Sequence, residues 1–165
     1  MDWHNFRTYL PLFATDSAPF VDARFRAPAA LEEYVAYLLT YARYSRKRGA
    51  ADWLLRHRAD NVPLGVLHLH ELSQERIGDW RPHCAVGYAL GAAHRGQGYA
   101  TEALTHLLTQ AATRFGQTEA RANTAADNLP SQALLRRCGF AVLEERPATR
   151  HAGPELLWSN ELQKQ

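Results

Sequence analysis

The sequence predicts a single domain of the α/β or α+β class, with strands and helices alternating from one end of the chain to the other. Three observations carry this expectation. The 165 residues fall within the usual size of one domain. A hydrophobic share of 46% is enough to build a substantial core. Segments of helical and of extended periodicity follow one another with no internal repeat, low-complexity tract or linker between them.

Residues 6 to 13 read as a first strand, ending where Thr15, Asp16 and Ser17 offer N-cap side chains to a short helix. After Pro28, the apolar residues Leu31, Tyr34, Val35, Tyr37, Leu38, Tyr41 and Ala42 recur near helical spacing. Glu32 and Glu33 fall in that helix's first turn, where its dipole favours them, and Arg43, Arg46, Lys47 and Arg48 suit its solvated C-terminus before Gly49. Residues 51 to 58 and 63 to 71 are extended and joined by a turn-rich spacer, so they read as a hairpin. Residues 73 to 82 are polar, with Gly78 and Pro82, and read as an exposed loop.

A further strand covers His83 to Leu90. From Gly98 onward, Ala100, Ala103, Leu104, Leu107, Leu108, Ala111, Ala112 and Phe115 mark one face of a helix that Gly116 closes. Residues 118 to 123 make a short strand, after which Asn128 or a neighbour starts a helix that holds Pro130 early and runs to Gly139. Residues 140 to 145 and 154 to 160 are the last strands, around a turn region at residues 147 to 153.

Charge and cysteine usage narrow the function classes. A charged share of 22% and a formal net charge of +2 give no whole-chain signal for a nucleic-acid or membrane partner. Cys84 and Cys138 stand far apart, without C-x-x-C or Cys/His ligand spacing, and read as reduced thiols in a packed interior. Residues 1 to 7 lack a basic region followed by an apolar stretch, and no segment approaches the roughly 18 apolar residues of a spanning helix. The expectation is a soluble, cytoplasmic protein.

The chemistry concentrates at Arg95-Gly96-Gln97-Gly98-Tyr99-Ala100, a glycine-rich turn at the start of the long amphipathic helix. Free N–H groups at a helix N-terminus hold anionic phosphates when no Cβ blocks the approach, and the turn has the composition of a phosphate nest. A P-loop needs Lys followed by Ser or Thr after its second glycine, and neither Gly96 nor Gly98 is followed that way. A dinucleotide fingerprint needs a third glycine where Thr101 stands, and Arg121 occupies the region where an acidic ribose ligand is sought.

In these residues the sequence resembles the GNAT acetyltransferase superfamily. That family's cofactor loop reads Arg or Gln, two residues, Gly, one residue, then Gly or Ala, and Arg95, Gly98 and Ala100 occupy the defined positions. The resemblance extends to Gly87-Tyr88-Ala89-Leu90, similar to the family's splayed central strand, and to Gly98 through Leu104, similar to its helix opening. It extends further to Asn128-Leu129-Pro130-Ser131 with Leu134, Gly139 and Phe140, similar to the N-x-x-S helix followed by Gly-Phe. Residues 7 to 20 and 30 to 48 resemble the opening elements of the ribosomal-protein N-acetyltransferase-like branch.

The resemblance implies a central, mostly antiparallel mixed sheet flanked by helices, with a cleft where the central strands part. It implies acetyl-CoA as acyl donor and no metal. Backbone groups of Leu90 and Ala92 are expected along the pantetheine arm, with a main-chain N–H near Leu90 polarising the thioester. Arg95, Gly96, Gln97, Gly98, Tyr99 and Ala100 are expected on the pyrophosphate. Asn128 is expected on the pantetheine region, compatible with its helix cap, and Ser131 near the thioester sulfur.

An alkylamine with a pKa of about 10.4 is mostly protonated at pH 7, and its deprotonation costs roughly 4 to 5 kcal/mol, so a base or water relay is required. Many relatives carry a Glu where this chain has Ala85, and some a general-acid Tyr where it has Leu135. Glu71 and His83, at strand ends, are the candidate bases, and Ser131 or water the proton donor to the thiolate. His68 and His70 share a strand face but lack a third ligand, so no metal is assigned. Tyr88 and Trp80 line an acceptor pocket or belong to the core.

The acceptor is a protein N-terminal amine or a small amine; Glu71, Glu75 and Asp79 suit either. No nucleic-acid or membrane partner is expected, and a homodimer is compatible with the reading. A non-catalytic acyl-CoA-binding or sensing module is the alternative, since neither Ala85 nor Leu135 brings an acid or base.

Overall fold

The computed structural model describes Leu12 and residues 51–72, 83–147 and 153–163. The strand expected at 6 to 13, both early helices, the loop at 73 to 82 with Glu75, Asp79 and Trp80, and most of the turn at 147 to 153 lie outside the described residues.

Among the described residues the chain forms β1 (Ala51–Arg56), β2 (Pro63–His70), β3 (His83–Leu90), α1 (Tyr99–Phe115), β4 (Glu119–Ala125), α2 (Leu129–Arg137), β5 (Ala141–Arg146) and β6 (Glu155–Glu161). The strands form one mixed sheet in the order β1-β2-β3-β4-β6-β5. β1 runs antiparallel to β2, β6 runs antiparallel to both β4 and β5, and β3 is parallel to β4. The mixed α/β class read from the sequence is the one observed.

The described residues divide into two compact units. The first holds Leu12 and residues 51–69 and 87–99: β1, most of β2, the second half of β3 and the turn that follows it. β1 ends two residues earlier than the periodicity indicates, because residues 57 to 62 close a turn. His57 N–H donates to the Val62 carbonyl at 2.8 Å, and Asp60 Oδ1 accepts from the Val62 N–H at 3.1 Å. Asn61 supplies the left-handed residue this turn needs, with φ 62°. Gly65 on β2 lies so close to β3 that a Cβ there would sit 2.1 Å from the Ala89 carbonyl oxygen. Its lack of a side chain is what lets β2 and the end of β3 approach this closely.

The second unit holds residues 70–72, 83–86, 100–147 and 153–163. Leu104, Leu107, Leu108, Ala111 and Ala112 are the buried residues of α1, at the i, i+3, i+4 spacing that the sequence displays. Trp158 on β6 is fully buried; its Nε1–H donates to Thr124 Oγ1 at 2.9 Å, and the Arg136 guanidinium lies 5.1 Å from its ring centroid. β4 runs two residues beyond the expected end, because its register with β6 continues through Thr124↔Leu156 and Ala125↔Glu155. The parallel register of β3 with β4 covers His83↔Glu119, Cys84↔Ala120 and Ala85↔Arg121.

Candidate functional site

The turn after β3 is built by short-range bonds. Gly91 N–H reaches back to the Leu64 carbonyl at 3.0 Å, and Ala92–His94 form a single helical turn in which His94 N–H bonds the Gly91 carbonyl at 2.9 Å. Arg95 then folds backward: its Nε–H donates to the Leu90 carbonyl at 3.1 Å and its N–H to the Ala92 carbonyl at 3.4 Å. The carbonyls of both residues expected along the pantetheine arm thus serve to fix Arg95. Gln97 Nε2 donates to the Ala93 carbonyl at 2.9 Å and closes the turn from the other side.

Gly96 and Gly98 carry φ of 72° and 86°, and a Cβ at either would meet nothing within 4 Å among the described residues. Conformation, rather than crowding, therefore dictates both glycines. α1 begins at Tyr99 directly after them. The first N–H groups of an α-helix have no partner within it and carry the positive end of its dipole, so the turn can hold an anion. The hairpin turn contributes a further wall: the His57 ring meets Tyr99 edge-on, centroids 5.8 Å apart, while its Nδ1 pairs with Asp60 Oδ1 at 2.7 Å.

In the second unit, Asn128 is the N-cap of α2, its Oδ1 accepting from the Ser131 N–H at 3.2 Å. The two residues expected near the cofactor are thereby joined to each other. The two candidate bases occupy different surroundings. Glu71 is exposed, in a left-handed conformation with φ 54° just past β2. His83 is 4% exposed and opposite Glu119 in the β3/β4 register. The Glu119 carboxylate is held below its ordinary range chiefly by Arg121, which bonds it at 2.8 and 3.2 Å, with a further bond at 2.8 Å from the Ser159 hydroxyl. Leu135, where some relatives carry a Tyr, is fully buried.

Both cysteines are buried and free, as their isolation in the sequence suggests. Burial pushes the Cys84 thiol up to about 12, and burial also raises that of Cys138. Among the described residues, no group of three or more His, Cys, Asp or Glu is placed to hold a metal ion, and no helix is long and apolar enough to cross a membrane.

Two features of the site escape sequence reasoning. His68 on β2 pairs through Nδ1 with Asp52 on β1, and His57 reaches Tyr99 of the glycine turn. The β1/β2 register brings the first two together and the fold of the hairpin turn the second two; no local spacing signals either.

The family description that fits this arrangement is the acetyltransferase (GNAT) domain, whose model matches residues 5–141. The chain belongs to the GNAT acetyltransferase family. It is accordingly an acyltransferase, and the family supports acyl-CoA as its donor and amines as its acceptors. Solved GNAT structures share its fold at low identity. The ribosomal L7/L12 α-N-protein acetyltransferase RimL, in complex with coenzyme A, has a TM-score of 0.79 at 17% identity, over 98% of this chain and 89% of that one. A chimera of the Vibrio cholerae spermidine N-acetyltransferase SpeG and hSSAT has a TM-score of 0.77 at 14% identity, over 98% and 92%. The ribosomal-protein-S5-alanine acetyltransferase of Vibrio fischeri has a TM-score of 0.72 at 15% identity, over 94% and 85%. A comparison with curated protein sequences finds no match.

Proposed function

We propose that this GNAT protein is a cytoplasmic, single-domain N-acetyltransferase that moves an acetyl group from acetyl-CoA to a primary amine by direct attack within a ternary complex. The observation that carries the reading is the pair of left-handed glycines, Gly96 and Gly98, immediately before α1, neither of which a described residue crowds. On this reading Arg95, Gly96, Gln97, Gly98, Tyr99 and Ala100 neutralise the pyrophosphate through main-chain N–H groups and the Arg95 charge. Main-chain groups of Leu90 and Ala92 align the pantetheine arm, and an N–H near Leu90 polarises the thioester carbonyl as charge develops on it. Asn128 lies along the pantetheine region, and Ser131 or a water protonates the departing thiolate.

Direct attack suits a chain whose two thiols are buried and raised, since a covalent acyl-enzyme needs an accessible thiolate. Holding donor and amine together supplies the orientation that makes the step effectively unimolecular. The named neighbours act on a protein α-amine, a ribosomal-protein alanine and spermidine, which supports an acceptor that is a protein N-terminus or a small amine. A non-catalytic acyl-CoA sensor is the second reading, favoured by Ala85 and by the burial of Leu135.

Two measurements test these readings. Thiol release from acetyl-CoA is followed across a panel of spermidine and peptides with N-terminal Ser or Ala. Turnover with any of them is the expected result, and donor binding without turnover on the whole panel favours the sensor. Gly98→Leu forces a side chain into the left-handed region and over the nest, so donor affinity should fall by about tenfold to a hundredfold by calorimetry. Unaltered affinity in a folded Gly98→Leu variant refutes the phosphate nest.

A further inference from the structure

The described residues of the first unit include the arginines Arg56, Arg58 and Arg95, and the fold gathers them at one end of it. Arg56 closes β1, Arg58 follows in the hairpin turn, and Arg95 opens the glycine turn. Two contacts set those turns side by side. Gly91 N–H bonds the carbonyl of Leu64, the second residue of β2, at 3.0 Å. The His57 ring meets that of Tyr99, the first residue of α1, with centroids 5.8 Å apart and planes at 69°.

The arginines are held differently. Arg95 folds back through Nε onto the Leu90 carbonyl, and Arg56 Nη1 reaches the Asn61 carbonyl at 3.3 Å, so both brace main chain. Arg58 is exposed, one residue beyond the ring that touches Tyr99. The turn that carries it is closed by two main-chain bonds, Asn61 N–H to the His57 carbonyl at 2.9 Å and His57 N–H to the Val62 carbonyl at 2.8 Å. Asp60, the acid of that turn, is engaged by His57 Nδ1 and the Val62 N–H. The turn thus presents a cation from a fixed frame, which lowers the ordering cost of binding an anion there.

Coenzyme A carries its pyrophosphate on the 5′ oxygen of the ribose and a phosphomonoester on the 3′ oxygen of the same ring. A pyrophosphate held at Gly96 and Gly98 therefore brings the monoester within one sugar of the nest, where the hairpin turn lies. A phosphomonoester carries about −1.5 to −2 charge at pH 7. A guanidinium suits it, because its planar fork donates to two phosphate oxygens at once and its charge does not titrate. We infer that Arg58 recognises the ribose 3′-phosphate of the donor, in a subsite that the β1–β2 turn forms beside the glycine turn. The inference rests on the proposed acetyl-CoA reading of that glycine turn. It gives the site a means of preferring coenzyme A to a carrier with the same pantetheine and pyrophosphate but no monoester.

The test is calorimetric titration of wild type, Arg58→Gln and Arg114→Gln with acetyl-CoA and with acetyl-3′-dephospho-CoA, without any amine. Wild type should bind acetyl-CoA about fivefold to tenfold more tightly than the dephospho donor. Arg58→Gln should bring the two affinities within about twofold by weakening acetyl-CoA alone. Arg114→Gln removes the same charge in the last turn of α1 and should keep the wild-type preference. Equal wild-type affinities overturn the inference without any variant. So does an Arg58→Gln protein that keeps the preference or weakens on both donors alike, and so does loss of the preference in Arg114→Gln. Tight binding of both donors without preference overturns this inference alone, whereas a wild type that binds neither donor overturns the proposed function and this inference together.

Discussion

Among the described residues of the first unit are two histidine–aspartate pairs, and their difference is one of setting. His57 and Asp60 lie three residues apart in the β1–β2 turn, with side chains 37% and 58% exposed. Asp52 and His68 lie sixteen residues apart in sequence and directly opposite in register, each 20% exposed. In the turn, solvent screens the charges, and the pair acts with the Val62 N–H to hold a loop shape. Between strands, the pair ties β1 to β2 across the register from a position largely shielded from solvent. The same two residue types thus lock a loop in one place and join two strands in the other.

The largest expected effect is the coupling within the strand pair. A double-mutant cycle with Asp52→Asn and His68→Gln, read by denaturant unfolding, should give about 1 to 2 kcal/mol. A coupling within error of zero would make that pair no stronger than an exposed contact. Smaller again is the contact of His57 with Tyr99. An aromatic edge contact is worth about 0.5 to 1.5 kcal/mol when well packed, and this one is partly exposed, so His57→Ala should weaken acetyl-CoA binding by roughly twofold to fivefold. Calorimetric titration measures it, and equal affinities would remove the hairpin turn from the donor site.

The contrast also separates the features that are legible in the amino-acid sequence from those that are not. The buried face of α1 and the Asn128 cap are local patterns, and Leu104 to Ala112 and the Asn128–Ser131 bond follow them closely. The glycine turn is legible because its requirement, positive φ at Gly96 and Gly98, is written into single residues. His68 is visible as a residue but not as half of a pair, because antiparallel register decides its partner and depends on how the hairpin turn closes. Glu71 and His83 stand out by position at strand ends, where sequence carries no record of burial. One is exposed and the other is packed beside a carboxylate that Arg121 already holds. Gly65, which the close approach of β3 demands, has the same origin in tertiary contact.

The smallest expected effect lies at Asp60, and its sign is set by the direction of its shift. The Val62 N–H and then the His57 side chain hold the Asp60 carboxyl below its ordinary range. A carboxyl lowered in the folded state binds protons less readily there than in the unfolded chain. It therefore adds stability above the ordinary carboxylate pKa and loses it as pH falls through the lowered value. Asp60 is exposed, so solvent screening keeps the contribution slight. Asp60→Asn should accordingly be a little less stable than wild type near pH 7 and converge with it near pH 2, read as denaturant midpoints at both ends. A gap that persists at low pH, where Asp60 and Asn are both neutral and each accepts the Val62 N–H bond, would mean that the Asp60 charge is not what separates the two proteins. It would leave the pair between β1 and β2 as the one whose charge matters.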